Sequence, residues 1–327
     1  MSSKHWLMLA GGLAVVAAAL VFFEPTQQER GGSKQERIEL AQILDADKIL
    51  IKGVASSAEI KKTTENSWVL LPHEYPADPQ KIVRLFDQLE RAKVLDHLDA
   101  THAADTGVEG GTELVFLRGE ETLLKLRVGK NREKGGQYWG VGEADLWLVS
   151  EALSLSSDEG QWELKNLLAI EEGALVQVAL TGKAGVAKDQ PVLTYDPEAK
   201  KWAISGWKGE PWSESQFATL DRSLRTLSYT SRLNRDHPDS AAFGDDAETL
   251  QVKLSDGSSF SLQIGEIGAE NKKVYIRLSQ VQLAEGDTSL AKSLPALVGK
   301  VDQWIYQINE QLGDQLRLRE TKPKKGS

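Results

Sequence analysis

The apolar positions of this chain fall into three patterns. From Trp6 to Phe23 they run without a break (WLMLAGGLAVVAAALVFF), 18 residues with no charge. As a helix that run rises ~27 Å, close to the ~30 Å hydrocarbon core of a bilayer. Lys4 and the α-amine precede it and Glu24-Pro25 follow, so the positive-inside rule leaves residues 1–5 cytoplasmic and exports the rest. The alternative is a cleaved signal peptide with Ala17-Ala18-Ala19 as its A-x-A site, but the apolar run continues past that point. Ala10, Ala14 and Ala18 recur every fourth residue, a candidate small-residue stripe for close helix packing. Residues 24–44 are polar at first, with Pro25 and Gly31-Gly32, and read as a tether.

Beyond the tether the apolar residues alternate in short runs, the period of half-buried strands. Strands are expected near Ile49–Lys52, Ala58–Thr63, Trp68–Leu71, Glu113–Leu117, Leu123–Val128, Gln137–Val141 and Asp145–Val149. A second set falls near Leu175–Leu180, Pro191–Tyr195, Trp202–Ile204, Thr249–Leu254, Ser259–Ile264 and Lys273–Leu278. One helix interrupts each set. Asp78 caps the first, with Pro79 in its first turn, and Ser213 with Gln216 forms a capping box for the second. Their apolar faces correspond: Ile82, Leu85 and Leu89 against Phe217, Leu220 and Leu224. Trp68 matches Trp202, Gly129 matches Gly265 and Tyr138 matches Tyr275, at offsets that drift only from 134 to 137. That order indicates an internal duplication.

The expected fold is therefore α+β: a transmembrane helix over residues 6–23, then two tandem units, 45–172 and 173–312, each mainly antiparallel strands with one amphipathic helix. Leu294, Leu297, Val298, Val301, Ile305, Ile308 and Leu312 recur at helical spacing and predict a C-terminal helix, although Trp304, Tyr306 and Ile308 also suit a strand. Residues 313–327 read as a polar tail.

Composition narrows the chemistry. The net charge of −9 and pI near 5.3 argue against nucleic acid as a partner, because there is no basic surface to displace counterions. With no cysteine there is no disulfide scaffold, Cys-bound zinc, iron–sulfur cluster or thiol catalysis. No Walker A, G-x-S-x-G or H-E-x-x-H pattern occurs, and no cofactor or catalytic residue is expected. Asp96, His97, Asp99, His102 and Asp105 form the densest cluster of metal-ligand types, but they follow a helix and read as a solvated connector. Gly129–Gly136 joins two strands and reads as a basic hairpin turn, not a phosphate cradle. Of nine Trp, Trp68 and Trp202 suit a core, whereas Trp207 and Trp212 flank a Lys-Gly-Glu-Pro loop. Those two rings either pack on the following helix or face a partner or glycan.

The order of these segments resembles a bacterial family. A Trp-bearing strand leads into a helix at residues 66–95 (NSWVLLPHEYPADPQKIVRLFDQLERAKVL), followed by LLKLRVG, GQYWGV, DLWLVS, WELKNLL and ALVQVAL. The pattern is similar to the domain-of-unknown-function 4340 family over about residues 45–310. The resemblance implies company and no chemistry: members are membrane-anchored, often encoded beside ABC-type permeases and gliding-motility-type auxiliary subunits. The resulting expectation is a non-enzymatic accessory subunit of an ABC transporter, with permease and ATPase partners, anchored in the bacterial inner membrane with residues 24–327 periplasmic. The alternative is a periplasmic glycan- or envelope-binding module.

Overall fold

The computed structural model describes residues 38, 40–142, 145–181, 191–206, 211–244, 247–268, 272–285 and 303–317. The apolar run 6–23, the Ala10, Ala14 and Ala18 stripe and most of the tether lie outside these residues, as does Trp207. Among the described residues no helix is long and apolar enough to cross a membrane.

A short helical turn, α1 (Leu40–Ile43), leads into a first sheet of nine strands. These are β1 (Lys48–Lys52), β2 (Ser57–Lys62), β3 (Trp68–Leu71), β4 (Tyr75–Pro76), β5 (Val94–Leu98), β6 (Thr112–Arg118), β7 (Glu121–Asn131), β8 (Gln137–Val141) and β9 (Asp145–Val149). All neighbours are antiparallel, in the order β4-β3-β2-β1-β6-β7-β8-β9-β5. The second sheet has eight: β10 (Leu175–Thr181), β11 (Val192–Asp196), β12 (Lys201–Ser205), β13 (Ser231–Asn234), β14 (Glu248–Leu254), β15 (Ser259–Ile267), β16 (Lys273–Gln282) and β17 (Trp304–Ile308). Its order, β12-β11-β10-β14-β15-β16-β17-β13, repeats that of the first sheet position by position once β4 is set aside. The protein is thus an α+β structure of two antiparallel sheets with a few helices.

Helix α2 (Pro79–Arg91) starts where Asp78 accepts a hydrogen bond from the Gln80 amide, and it buries Ile82, Leu85 and Leu89. Helix α3 (Glu214–Arg225) starts at a complete Ser213–Gln216 capping box and buries Leu220 and Leu224. Each fully buried leucine contributes roughly 1.5–3 kcal/mol, which is what fixes these helices in place. Turn chemistry follows the sequence as well: Gly257 and Gly119 take φ of +89° and +58° in the matching hairpins, a region open mainly to glycine.

Gly129 on β7 and Gly265 on β15 serve one shared purpose. A Cβ on Gly129 would lie 2.6 Å from the Thr106 carbonyl oxygen, and one on Gly265 only 2.2 Å from that of Ala242. Thr106 and Ala242 are themselves 136 residues apart, like the two glycines. In both sheets the connector that precedes the long hairpin crosses a strand at backbone contact distance, and only glycine leaves room for it.

Three expectations change. The chain from Trp304 to Ile308 is strand β17 and not part of a helix, because the alternation of Trp304, Tyr306 and Ile308 fills a position between β16 and β13. Helix α4 (Glu310–Leu316) follows, with Asn309 as its cap, and buries Leu316 beyond the point where a polar tail was expected. The segment expected as a solvated connector begins inside strand β5 at the sheet edge, paired with β9 through Val94, Asp96, His97 and Leu98, while Asp99, His102 and Asp105 lie in the turn that follows. The three central residues of β5, Leu95, Asp96 and His97, are exposed and do not alternate, because an edge strand buries little. Trp68 and Trp202 are half-buried and pack against the core from the rim.

Helix α4 is held down by Arg317, whose guanidinium pairs with Glu248 at 2.8 Å and Glu266 at 2.5 Å. A hydrogen bond from Lys272, opposed by burial and reinforced by Arg317, holds the Glu266 carboxyl below its usual range. A depressed carboxylate pKa contributes stability above the unfolded value of about 4.3, and that contribution is lost as pH falls through the folded value. Amide exchange in residues 310–316 is therefore expected to accelerate relative to β14 and β15 below about pH 4. Equal protection of the helix at pH 3 and pH 7 would remove the ion pair as its fastening.

Candidate functional site

Two places concentrate polar and aromatic groups. The first is the junction of the sheets, built by Trp162–Ile170. This stretch leaves the 3-10 turn Glu159–Gln161 and runs extended beside β4: the Asp78 amide donates to the Trp162 carbonyl at 2.8 Å and the Leu164 amide to that of Pro76 at 2.9 Å. It then crosses to the second sheet, where the Leu167 amide donates to the Leu227 carbonyl at 2.7 Å and the Ile170 amide to that of Arg225 at 3.0 Å. Trp162, Leu167, Leu168 and Ile170 are buried along the way.

Within that strap Glu163 meets Arg232 of β13. Their charged atoms lie 2.8 Å apart, and both side chains are 5% exposed. Arg232 also reaches Glu159 at 3.1 Å, while Glu163 accepts from Lys165 at 2.7 Å and from the Tyr229 hydroxyl at 3.0 Å. The guanidinium sits in the corner between Tyr75 of the first sheet, 4.2 Å from its ring centroid, and Trp304 of the second, at 3.9 Å, whose rings stand nearly perpendicular to each other. Arg232 Nη1 and Trp304 Nε1 are buried without a hydrogen-bond partner among the described residues. The two π faces offset part of that loss, since a desolvated cation over an aromatic ring gains about 2 kcal/mol. Burial, then the neighbouring Tyr229, pushes the Tyr75 phenol far above its ordinary value; burial, then Glu163, does the same to Tyr229. Both stay neutral, and the cluster holds two cations against two carboxylates. It clamps the sheets together.

The second place is a groove of about 660 Å³ between α3 and the outer strands of the second sheet. Tyr195 and Trp202 are register partners on β11 and β12, with ring centroids 5.3 Å apart. Trp212, just before the helix cap, packs on Phe217 at 5.4 Å. All four rings are half-buried. Glu172, Glu214 and Asp221 stand with Lys200 and Lys201 around them.

The remaining sequence candidates do not converge. Trp212 reaches the groove and also packs on the following helix, while Trp207 lies outside the described residues. Asp99 spends its carboxylate on the Thr101 amide at 2.9 Å, His97 lies 5.8 Å from the Trp147 ring, and His102 and Asp105 are exposed and 3.9 Å apart. Among the described residues no group of three or more His, Asp or Glu is placed to hold a metal ion. Gly129–Gly136 is a hairpin, closed by the Arg132 amide donating to the Gly136 carbonyl at 2.9 Å. Sequence reasoning missed Arg232, Glu163, Tyr75 and Tyr229, which lie far apart in the chain; the WELKNLL run was their only local signal.

A two-sheet α+β body tied by a buried ion-pair strap is the class of protein these elements define. The chain belongs to the DUF4340 family, a domain of unknown function whose profile matches residues 68–241. Tyr75, Glu163, Tyr229 and Arg232 fall inside the match; Trp304 falls outside. No curated protein and no solved structure matches the chain.

Proposed function

We propose that this chain is a non-enzymatic accessory subunit of an ABC-type transporter complex. Residues 6–23 anchor it in the bacterial inner membrane, residues 1–5 are cytoplasmic and residues 24–327 are periplasmic. The body consists of two tandem copies of one α+β unit, and the repeated strand order and paired glycines support that descent. The observation that carries the reading is the uncharged 18-residue run ahead of the body. A span of that length keeps the exported body at the membrane through the tether. The Arg232–Glu163 strap supports it further, because it joins the two sheets into a block that can keep one face toward a neighbour. The resemblance to anchored proteins encoded beside permeases supplies the kind of neighbour.

Affinity purification of the full-length chain from its native membrane, in mild detergent, tests the proposal. Stoichiometric recovery of a permease and an ATPase is expected. A chain that emerges alone through repeated gentle extractions would rule out a stable complex.

A further inference from the structure

We propose that the groove between α3 and the β11–β12 edge binds a neutral saccharide, a function that goes beyond subunit docking. The repeated topology supplies an internal control. At the matching places in the first sheet, Lys62 stands opposite Trp68 where Tyr195 stands opposite Trp202. Ala77 precedes the helix cap where Trp212 does, and Ile82 occupies the place of Phe217. One helix thus packs on one sheet without those three aromatic rings, so packing alone does not require them. Bulk changes the other way along the helix: Ala218 replaces the exposed Val83 and Asp221 replaces the half-buried Phe86, which opens the space that the rings surround.

The chemistry of the lining selects the ligand. Ring faces take up the C–H faces of pyranoses, and a volume of about 660 Å³ lies in the range of small-ligand sites. Charged groups at the rim exchange hydrogen bonds with hydroxyls. A purely apolar helix or strand face would bury those charges unpaired, which is unfavourable. Asp221 is paired with Arg225 at 2.7 Å, which leaves Glu172 and Glu214 against Lys200 and Lys201, a rim without net charge. That balance offers no net attraction to uronic acids or phosphorylated sugars and favours a neutral chain.

The test uses the full-length chain in lipid nanodiscs free of glycoside detergent, with saturation-transfer NMR. The probes are neutral trisaccharides of glucose, galactose, mannose and N-acetylglucosamine in α and β linkages, with glucuronic acid as the anionic comparison. At least one neutral trisaccharide is expected to receive saturation at its C–H protons and to compete away glucuronate. Trp212→Ala and Ala218→Trp are each expected to weaken binding at least tenfold. The second variant fills the groove from an exposed helix position and removes no core contact. Val83→Ala, on the outer face of α2, is expected to leave binding unchanged. Absence of transfer to every neutral probe, binding that survives Ala218→Trp, or preference for glucuronate would each overturn the proposal. So would a polypeptide segment retained in the groove with no saccharide uptake. None of these outcomes bears on whether a permease co-purifies.

Discussion

Replacing Arg232 by alanine is expected to cost about 3–5 kcal/mol, because it leaves the buried Glu163 charge without its main partner. Lys165 remains at 2.7 Å, but it is 31% exposed and does not enter the space between Tyr75 and Trp304. The loss combines an unpaired carboxylate with two aromatic faces deprived of their cation. For a body of this size the unfolding midpoint should fall on the order of 10 °C. The double variant Arg232→Met with Glu163→Gln separates charge from volume. Removing both charges while filling the space should restore most of the stability, since replacing a buried pair by apolar groups is often neutral. Thermal unfolding of the purified chain decides the matter. A single variant within about 1 kcal/mol of the parent would show that the strap does not depend on this pair.

The second large effect is expected at Gly265. Adding one methyl group there places a carbon 2.2 Å from the Ala242 carbonyl oxygen, so either β15 or the connector must move. Forced overpacking of this kind costs about 1–3 kcal/mol, and contact with two backbone atoms of Ala242, which cannot swing away like a side chain, puts Gly265→Ala at the upper end. Gly129→Ala, with its closest contact at 2.6 Å, should cost somewhat less. Gly110→Ala meets nothing within 4 Å and should stay within about 0.5 kcal/mol of the parent. Denaturant midpoints for the three variants give the ranking. Equal effects at Gly265 and Gly110 would show that the crossing is loose.

The strands that carry regular alternation were legible in the sequence, and so were both helix starts, because caps and period-two runs are local signals. Asp78, Ser213 and Gln216 do in the structure what their spacing predicts. What escaped is what depends on distant partners. Strand β13, Ser231-Arg-Leu-Asn, has one apolar residue in four and exists because β17 lies beside it. Strand β4 has two residues, one of them a proline, so no period can announce it. Helical spacing from Leu294 to Leu312 competed with alternation from Trp304 to Ile308, and pairing with β16 decided for the strand. At the groove, Trp202 and Trp212 were visible as aromatic residues, but Tyr195 and Phe217 acquire meaning only when β11 and α3 bring them face to face.

The span of the family match has a consequence for how such chains are divided. Residue 68 opens β3 and residue 241 lies inside the turn Pro238–Phe243, so the matched stretch takes the second part of one sheet and the first part of the next. A fragment cut at those limits has no β1 or β2 to join β3 to β6, and it lacks β14 to β17 entirely. It keeps the strap intact and breaks both things the strap ties. The stretch that marks kinship in this family is a seam, and a folding piece must extend well beyond it on either side.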